Sequence, residues 1–247
     1  MFKILHVGDV HAGYRQYGYA MRMADINHAL EHVVNTAIKA EVDLVVFPGD
    51  IFDTTHPPLD VALFVRDQMA KLRQHGIKVF AIDGNHDLCS NNWLHLCNMS
   101  GDAAVETLSA GFKMHNMVLT KGKDYLTIVG FDYMRRSQIV DALANMAKDG
   151  KRADVLVMHQ GVFEAAPHIQ ACELTSNQIS TSAVTAGVKY VALGHYHDFK
   201  LFEHEKVMFC YPGSIEKMAS NLTATLNPWT VPARIVPVED YGAAADG

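Results

Sequence analysis

The stretch Val45-Val46-Phe47-Pro48-Gly49-Asp50-Ile51-Phe52-Asp53 decides the fold of this chain. A short apolar run ends in Pro-Gly and delivers a carboxylate, Asp50. Such a run, bounded by turn residues, is typical of a buried strand. In α/β proteins, ligands bind where the carboxyl ends of the strands meet. Asp50 is therefore predicted to lie at the mouth of a sheet.

The same pattern, an apolar run followed by Asp, Asn or His, occurs at four other places. These are Ile4–Gly8 before Asp9 and His11, Lys78–Ile82 before Asn85 and His86, Val155–Met158 before His159, and Tyr190–Leu193 before His195 and His197. A single ending of this kind is usually a cap or a hydrogen-bonded polar group. Five in one chain predict one cluster of side chains.

Between these runs, helical periodicity predicts the layers that cover the sheet. Helices are expected over Arg22–Ala40, from Pro57-Pro58 to just before Gly76, over Asn91–Asn98 and over Arg135–Lys148. The β-α-β-α-β order up to Ile82 favours a largely parallel sheet with right-handed crossovers. Later strands are expected over Asn116–Leu119, Tyr125–Val129, Phe199–Phe202 and Val207–Tyr211, with an edge strand over Arg234–Val238.

Length and composition are those of an ordinary globular protein. A chain of 247 residues, 49% hydrophobic and 19% charged, can bury a full core in one large domain. No apolar run approaches membrane-spanning length, and Met1–Leu5 is not typical of a signal peptide. The four cysteines lack metal-binding spacing, so we expect reduced thiols and a cytoplasmic location.

The net charge of −6 argues mildly against an autonomous nucleic-acid binder, because such proteins usually carry a basic excess. Part of this negative charge, however, belongs to carboxylates that are predicted to hold metal.

The polar residues at the strand ends form a mixed oxygen and nitrogen donor set, which suits Mn, Fe or Zn better than Ca or Mg. They are Asp9, His11, Asp50, Asn85, His159, His195 and His197. Seven ligands exceed one closed tetrahedral site, but they fit two ions if one carboxylate bridges. Two ions about 3.5–4 Å apart clamp the oxygens of a phosphoryl displacement and lower the pKa of a bound water to about 7.

His86 differs from the seven predicted ligands. It sits beside Asn85 in the same turn, where it can face the substrate while Asn85 faces the metal. A histidine there can donate a proton to the leaving oxygen. We expect Asp87 to orient His86 and keep it cationic, and Asp53 to accept a hydrogen bond from a ligand histidine. The alternative is a purely structural His86.

Tyr14, Arg15 and Tyr17 interleave aromatic and basic groups just after the first strand end. Such a loop can stack a base and hold a phosphate, and an ordinary surface loop explains these residues equally well.

Most other histidines are expected on the surface or on helix faces. They are His6, His28, His32, His75, His95, His115, His168 and His204.

The strand-end residues resemble, in type, order and spacing, the five motifs of the calcineurin-like metallophosphoesterases. The motifs read Asp9-x-His11, Gly49-Asp50-x-x-Asp53, Gly84-Asn85-His86-Asp87, His159 and Gly194-His195-x-His197. The resemblance implies a four-layer α/β fold, an αββα sandwich of mixed, mostly parallel sheets flanked by helices.

The same resemblance implies roles for the site residues. Asp50 would bridge two metal ions. One ion would also bind Asp9, His11 and His197, and the other Asn85, His159 and His195. His86 would assist substrate binding and protonate the leaving group.

A narrower resemblance covers roughly residues 1–218 and concerns DNA-repair nucleases of the SbcD and meiotic-recombination-eleven type. It rests on Asp9–Gly18, Arg22-x-x-Asp25, Phe52-Asp53 followed by Pro57-Pro58, His159-Gln160-Gly161 and Tyr211-Pro212-Gly213-Ser214. It implies a manganese-dependent exo- and endonuclease acting in DNA repair, recombination or degradation, with Mg, Fe or Zn as alternative metals. Such nucleases are usually homodimers and work with an SMC-like ABC ATPase.

The C-terminal part departs from that group. Residues 1–218 are expected to form the nuclease domain and residues 219–247 a tail with an edge strand. Members usually continue into a DNA-binding cap domain and a helical segment that holds the ATPase, and this tail matches neither. We therefore expect a compact, phage-like version or an isolated catalytic core, and the ATPase partner stays open.

Three functions remain to be separated. The first is a two-metal DNA nuclease. The second is a small-molecule phosphoesterase acting on cyclic nucleotides or phosphomonoesters, which the negative net charge and the missing cap domain favour. The third is a binding scaffold that has lost its chemistry, against which the complete ligand set argues.

Overall fold

The structure is a computed structural model that describes residues 1–15, 20–88, 93–97, 99, 103–107, 112–168, 177–184, 187–216 and 234–237. The strands are β1 (Lys3–His6), β2 (Leu44–Phe47), β3 (Lys78–Ala81), β4 (Ala104–Thr107), β5 (Lys113–Lys121), β6 (Asp124–Phe131), β7 (Val155–Met158), β8 (Tyr190–Leu193), β9 (Lys200–His204), β10 (Val207–Tyr211) and β11 (Arg234–Pro237). The helices are α1 (Ala20–Lys39), α2 (Leu59–Gln74), α3 (Trp93–Leu96) and α4 (Arg136–Lys148). Short 3₁₀ turns lie at Phe163–His168 and Thr181–Ala183.

Within the described residues, the strands form two sheets. The first has the order β11-β1-β2-β3, in which only β11 runs antiparallel to its neighbour. The second has the order β4-β5-β6-β7-β8-β10-β9, with β6, β7, β8 and β10 parallel. The predicted edge strand at 234–238 corresponds to β11.

The two sheets pack face to face, and each carries helices on its outer face. Alternate residues of one strand face opposite sides of its sheet. In β2, Leu44 and Val46 join the core between the sheets, while Val45 and Phe47 join the core under α1 and α2. In β7, Val155 and Val157 face the first sheet and Leu156 and Met158 face α4. The predicted αββα architecture is therefore confirmed.

Some element boundaries differ from the sequence predictions. β5 and β6 are longer than the predicted strands because each pairs with a neighbour on both sides, β5 with β4 and β6 with β7. β4 itself was not predicted. The helix expected over 91–98 is described only as α3, since residues 91, 92 and 98 lie outside the described ranges. No helix among the described residues is long and apolar enough to cross a membrane.

Two histidines that were predicted on the surface are buried. His115 lies inside the second sheet, where its Nε2 is 2.8 Å from Asp132 Oδ1. His6 lies on the face of β1 that packs against the second sheet, and its Nδ1 is 2.9 Å from the Tyr190 hydroxyl. The surface prediction was wrong because polar residues inside strands can be buried when a partner crosses from another strand.

His6 makes folding stability dependent on pH. Burial lowers the pKa of His6 from 6.5 to about 3. Above pH 6.5 both the folded and the unfolded chain hold it neutral. Below that value only the unfolded chain takes up the proton, so the free energy of unfolding falls as the pH falls toward 3.

We expect His6→Gln to remove this dependence while keeping a polar partner for Tyr190. Between pH 7 and pH 5 the natural chain should lose about 2 kcal/mol more unfolding free energy than the variant, by the linkage relation. Urea unfolding of both proteins in a chelator, over this pH range, measures the difference. Parallel pH profiles would contradict the buried, neutral His6.

Candidate metal centre

The polar residues of five strand ends meet at one edge of the two sheets. Asp9 and His11 follow β1, Asp50 follows β2, Asn85 follows β3, His159 follows β7, and His195 and His197 follow β8. All five strands belong to the parallel parts of their sheets, so their carboxyl ends point the same way. The structure brings all seven predicted ligands together.

The backbone at this edge is strained. Of the seven non-glycine residues with positive φ among those described, four are predicted ligands: Asp9 (26°), His11 (48°), Asp50 (48°) and His195 (91°). Such conformations cost about 1–3 kcal/mol each and cluster at functional sites. These strained backbone conformations lower the local stability and direct the four side chains toward one point.

One group of candidate ligands consists of Asp9, His11 and His197. Their ligand atoms lie within 4.8 Å of one another, and His11 Nε2 is 3.2 Å from His197 Nε2. The His195 backbone N–H donates to Asp9 Oδ1 at 2.8 Å. The other oxygen, Asp9 Oδ2, is buried and has no hydrogen-bond partner in the described part of the chain.

The second group centres on His159, which is fully buried. Its Nδ1–H donates to the Pro48 carbonyl at 2.7 Å, which leaves Nε2 to face the site. That Nε2 is 3.2 Å from Asn85 Oδ1 and 3.2 Å from Asp50 Oδ2. The His195 ring lies 5.2 Å from the His159 ring, centroid to centroid.

Asp50 lies between the two groups. Its Oδ2 is 3.2 Å from His159 Nε2 and 3.7 Å from His11 Nε2. Its Oδ1 accepts the His86 backbone N–H at 2.9 Å. This is the position that a bridging carboxylate requires.

The donor set fits two divalent cations. The imidazole nitrogens of His11 and His197, 3.2 Å apart, can share at most one proton, and a cation bound by both nitrogens would satisfy both lone pairs. The orphaned Asp9 Oδ2 needs a partner of the same kind. Mixed carboxylate, amide and imidazole donors match transition metals.

Burial and charge set the protonation of the metal-free cluster. Burial raises the pKa of Asp9 to about 6, and burial lowers the pKa values of His195 and His197 to about 3. Burial opposes the charge on Asp50 and His159 as well, but their mutual attraction holds the Asp50 pKa below its usual range and raises the His159 pKa to about 9. Without metal, therefore, Asp50 and His159 form a buried ion pair while His195 and His197 are neutral.

Asp87 does not orient His86 as the sequence suggested. Its carboxylate accepts backbone N–H groups of Phe52 (2.9 Å), Ile51 (3.1 Å) and Gly84 (2.9 Å). Asp87 is buried, where a carboxylate needs several donors, and the nearest ones belong to the two metal-site turns. Its role is to fasten the turn after β2 to the turn after β3.

His86 takes its orientation from Asp53 instead. The His86 Nδ1–H donates to the Asp53 backbone carbonyl at 2.7 Å, and the His86 ring lies 4.9 Å from the His11 ring. The Asp53 carboxylate Oδ1 lies 3.5 Å from His11 Nδ1, on the side of the ring away from the cluster. Asp53 thus contacts both histidines, one through its backbone and one through its side chain.

A second carboxylate clamp was not predicted. Asp132 Oδ1, just after β6, accepts the Asp83 backbone N–H at 3.0 Å and faces His115 Nε2 at 2.8 Å. It joins the second sheet to the turn that carries Asn85 and His86. Asp132 could have been suspected from its place at the end of an apolar strand, which is the signal that identified the other site residues.

The loop after β1 is partly described. Tyr14 packs against the core under α1 and α2, and the exposed Arg15 has its guanidinium 3.9 Å from the Met23 sulfur. Tyr17 lies outside the described residues. Substrate binding by Tyr14, Arg15 and Tyr17 stays a prediction.

Tyr133, which was not predicted, lies at the rim of the site. Its ring centroid is 6.0 Å from the His159 ring centroid and 6.1 Å from the His195 ring centroid.

Comparison with known proteins identifies the family to which the chain belongs. The calcineurin-like phosphoesterase family matches residues 2–199. The DNA double-strand break repair protein Mre11 of Archaeoglobus fulgidus is 30% identical over 87% of this chain and 50% of its own length. The uncharacterized metallophosphoesterase YhaO of Bacillus subtilis is 25% identical over 86% of this chain and 52% of its own length. The chain thus spans about half of these curated relatives.

Among solved structures, a dimetal phosphatase from Danio rerio has a TM-score of 0.58 at 14% identity, covering 85% of this chain and 86% of its own. At that identity the likeness concerns the fold alone.

Gly84→Ala should disturb the metal centre directly. An added Cβ would collide with the backbone nitrogen and carboxylate of Asp50, so Asp50 or the turn must shift. We expect the variant to bind clearly less metal than the natural chain does. Elemental analysis of the purified proteins measures the difference.

Gly122→Ala is the matched control. Gly122 has a positive φ of 63°, which Gly84 does not, and its added Cβ would meet nothing within 4 Å. It should lose some stability and keep its metal. Equal metal content in the two variants would contradict the tight packing of Gly84 on Asp50.

Proposed function

Since this chain belongs to the calcineurin-like phosphoesterase family, we propose that it is a two-metal DNA nuclease. It hydrolyses phosphodiester bonds in DNA repair, recombination or degradation, and Mn²⁺ is the metal that we expect. The phosphoesterase part of this proposal is supported by the cluster of seven ligands at the strand ends. The DNA part is carried by the similarity to Mre11 proteins, whose name describes double-strand break repair, across the region that holds the site.

The residues of the cluster have distinct tasks in such a reaction. Asp9, His11 and His197 would hold one ion, Asn85, His159 and His195 would hold the other, and Asp50 would contribute to both sites. When bound, the two ions neutralise the phosphate charge and make a water molecule nucleophilic near neutral pH. The Pro48 carbonyl fixes the His159 ring, so its Nε2 is presented as a ligand atom.

His86 supplies the proton for the leaving oxygen. Its Nδ1–H stays on the Asp53 carbonyl, so Nε2 is the nitrogen that gives the proton. The side chain is half-buried, which leaves it open to a substrate on the solvent side of the cluster. Its backbone N–H holds Asp50, so one residue serves both the bridge and the leaving group.

A small-molecule phosphoesterase is the second candidate. The net charge of −6 favours it, because a polyanionic strand is repelled by an acidic protein. It would use the same cluster and the same proton donor. The two candidates therefore differ in substrate and not in chemistry.

The test of the proposal is a cleavage assay with Mn²⁺ on single- and double-stranded oligonucleotides, run beside bis-p-nitrophenyl phosphate. We expect both DNA and the small diester to be cleaved, and cleavage to stop when a chelator is added. If the small diester is hydrolysed while the oligonucleotides stay intact, the substrate is a small phosphate ester and the DNA nuclease proposal is wrong. Inactivity toward both, with metal bound, would revive the scaffold hypothesis.

His86→Ala should separate proton donation from metal binding. The variant keeps its backbone N–H, so it should retain its metal while DNA turnover falls roughly 10²- to 10⁴-fold. His32→Ala, on the exposed face of α1, is the control and should behave like the natural chain. If elemental analysis finds that His86→Ala has lost its metal, the assignment of His86 as proton donor is wrong.

A further inference from the structure

A cationic and aromatic surface borders the metal centre on the side of the second sheet. We call it the arginine shelf and define it as Tyr133, Arg135, Arg136 and Phe163. Tyr133 is its inner end, with its ring 6.0 Å from that of His159 and 6.1 Å from that of His195. The two arginines follow at the start of α4, and Phe163 begins the 3₁₀ turn that comes shortly after His159.

Hydrogen bonds from Asn177 and Gln160 hold the shelf in place. Asn177 Nδ2 donates to the Tyr133 hydroxyl (3.0 Å) and to the Met134 carbonyl (3.0 Å), and its Oδ1 accepts the Arg136 N–H. Gln160 Nε2 also donates to the Met134 carbonyl, at 2.7 Å. Because Gln160 is the neighbour of the ligand His159, the shelf is built onto the same loop as the metal centre. A ligand on the shelf would meet a prearranged surface.

The charge of the shelf is available for a ligand. Arg135 and Arg136 are both exposed, and neither forms an ion pair with another residue in the part of the chain that the structure describes. The Arg136 guanidinium stacks over the Phe163 ring at 5.1 Å, and Phe163 is 40% exposed. The adjacent acid, Glu164, is occupied by Ser180 and Thr181, whose hydroxyls donate to it at 2.8 Å and 2.9 Å.

We propose that the arginine shelf binds an unpaired strand of DNA that leads away from the metal centre. Guanidinium groups bind phosphate through paired hydrogen bonds, and aromatic rings stack bases of any sequence. Bases inside a duplex have both faces covered by neighbouring base pairs, so we take the occupant of the Arg136–Phe163 stack to be a single strand. The inference rests on the proposed nuclease function and adds the route and the strandedness of its substrate.

Direct binding tests the shelf separately from cleavage. A fluorescent oligothymidylate is titrated into Mn²⁺-loaded protein in the His86→Ala background, and anisotropy is read at several salt concentrations. Arg135→Ala combined with Arg136→Ala should weaken binding roughly 10-fold or more. It should also reduce the slope of log affinity against log salt by about 1.4, because two phosphate contacts on a single strand are lost.

Phe163→Leu isolates stacking from charge. It should weaken binding roughly 5-fold or more, as expected for one lost base stack, and leave the salt slope unchanged. Lys121→Ala combined with Lys123→Ala removes the same charge from the end of β5 and the turn that follows it, far from the carboxyl end of β6 where the site lies. That control should bind like the parent protein.

The outcomes separate the shelf from the nuclease proposal. If the natural chain cleaves DNA while the shelf variants bind oligothymidylate like their parent, the shelf is overturned and the nuclease stands. If DNA is bound through the shelf but never cleaved, the shelf stands and the nuclease fails. Loss of metal in the arginine variant, equal loss in the lysine control, or equal effects of Phe163→Leu on single strands and blunt duplexes would each overturn the shelf.

Discussion

The structure depends on a buried carboxylate, Asp50, held between two histidines from different sheets. Its oxygen lies 3.2 Å from His159 on the second sheet and 3.7 Å from His11 on the first. An unpaired carboxylate at this depth would be very costly, so each partner must be kept in place. The carboxyl ends of the strands of both sheets therefore have to lie close together, and the face-to-face packing of the sheets in the αββα fold supplies that arrangement. The packing of the two sheets and the geometry of the site therefore depend on each other.

The surrounding turns are shaped by the same requirement. Gly84 leaves room for Asp50, and Gly49, at φ 98°, lets the chain turn directly before it. Asp87 and Asp132 use their carboxylates to hold backbone N–H groups of the turns that carry the ligands. The strain at Asp9, His11, Asp50 and His195 persists because these clamps and the apolar layers behind them fix the backbone. A rigid cluster of this kind suits a reaction in which positioning of phosphate, metal and proton donor supplies most of the rate.

Much of this could be predicted from the sequence because strand ends are local signals. An apolar run followed by Gly and Asp, Asn or His marks both a strand and a possible ligand, and parallel strands bring such endings to one edge. The parallel strands and the gathering of all seven ligand candidates follow from that pattern, whereas the αββα layers were implied by the resemblance to the metallophosphoesterases. The burial of His6 and His115 could not be predicted, because it depends on Tyr190 and Asp132, which are distant in sequence. The role of Asp87 was misjudged because neighbouring residues in a turn point in different directions, and its carboxylate meets the backbone of Ile51 and Phe52 instead of His86. Tyr133 carried no signal of its own, since an aromatic residue after a strand is usually part of the core.

The chain thus combines the fold of the calcineurin-like phosphoesterase family with a cluster of seven candidate metal ligands, and DNA is the substrate that we propose for it. We propose that Asp50 bridges two metal ions, and anomalous diffraction from crystals grown with Mn²⁺ tests this role most directly. We expect two anomalous peaks about 3.5–4 Å apart, one on each side of the Asp50 carboxylate. A single peak beside Asp9, His11 and His197, or two peaks with Asp50 bound to only one of them, would contradict it.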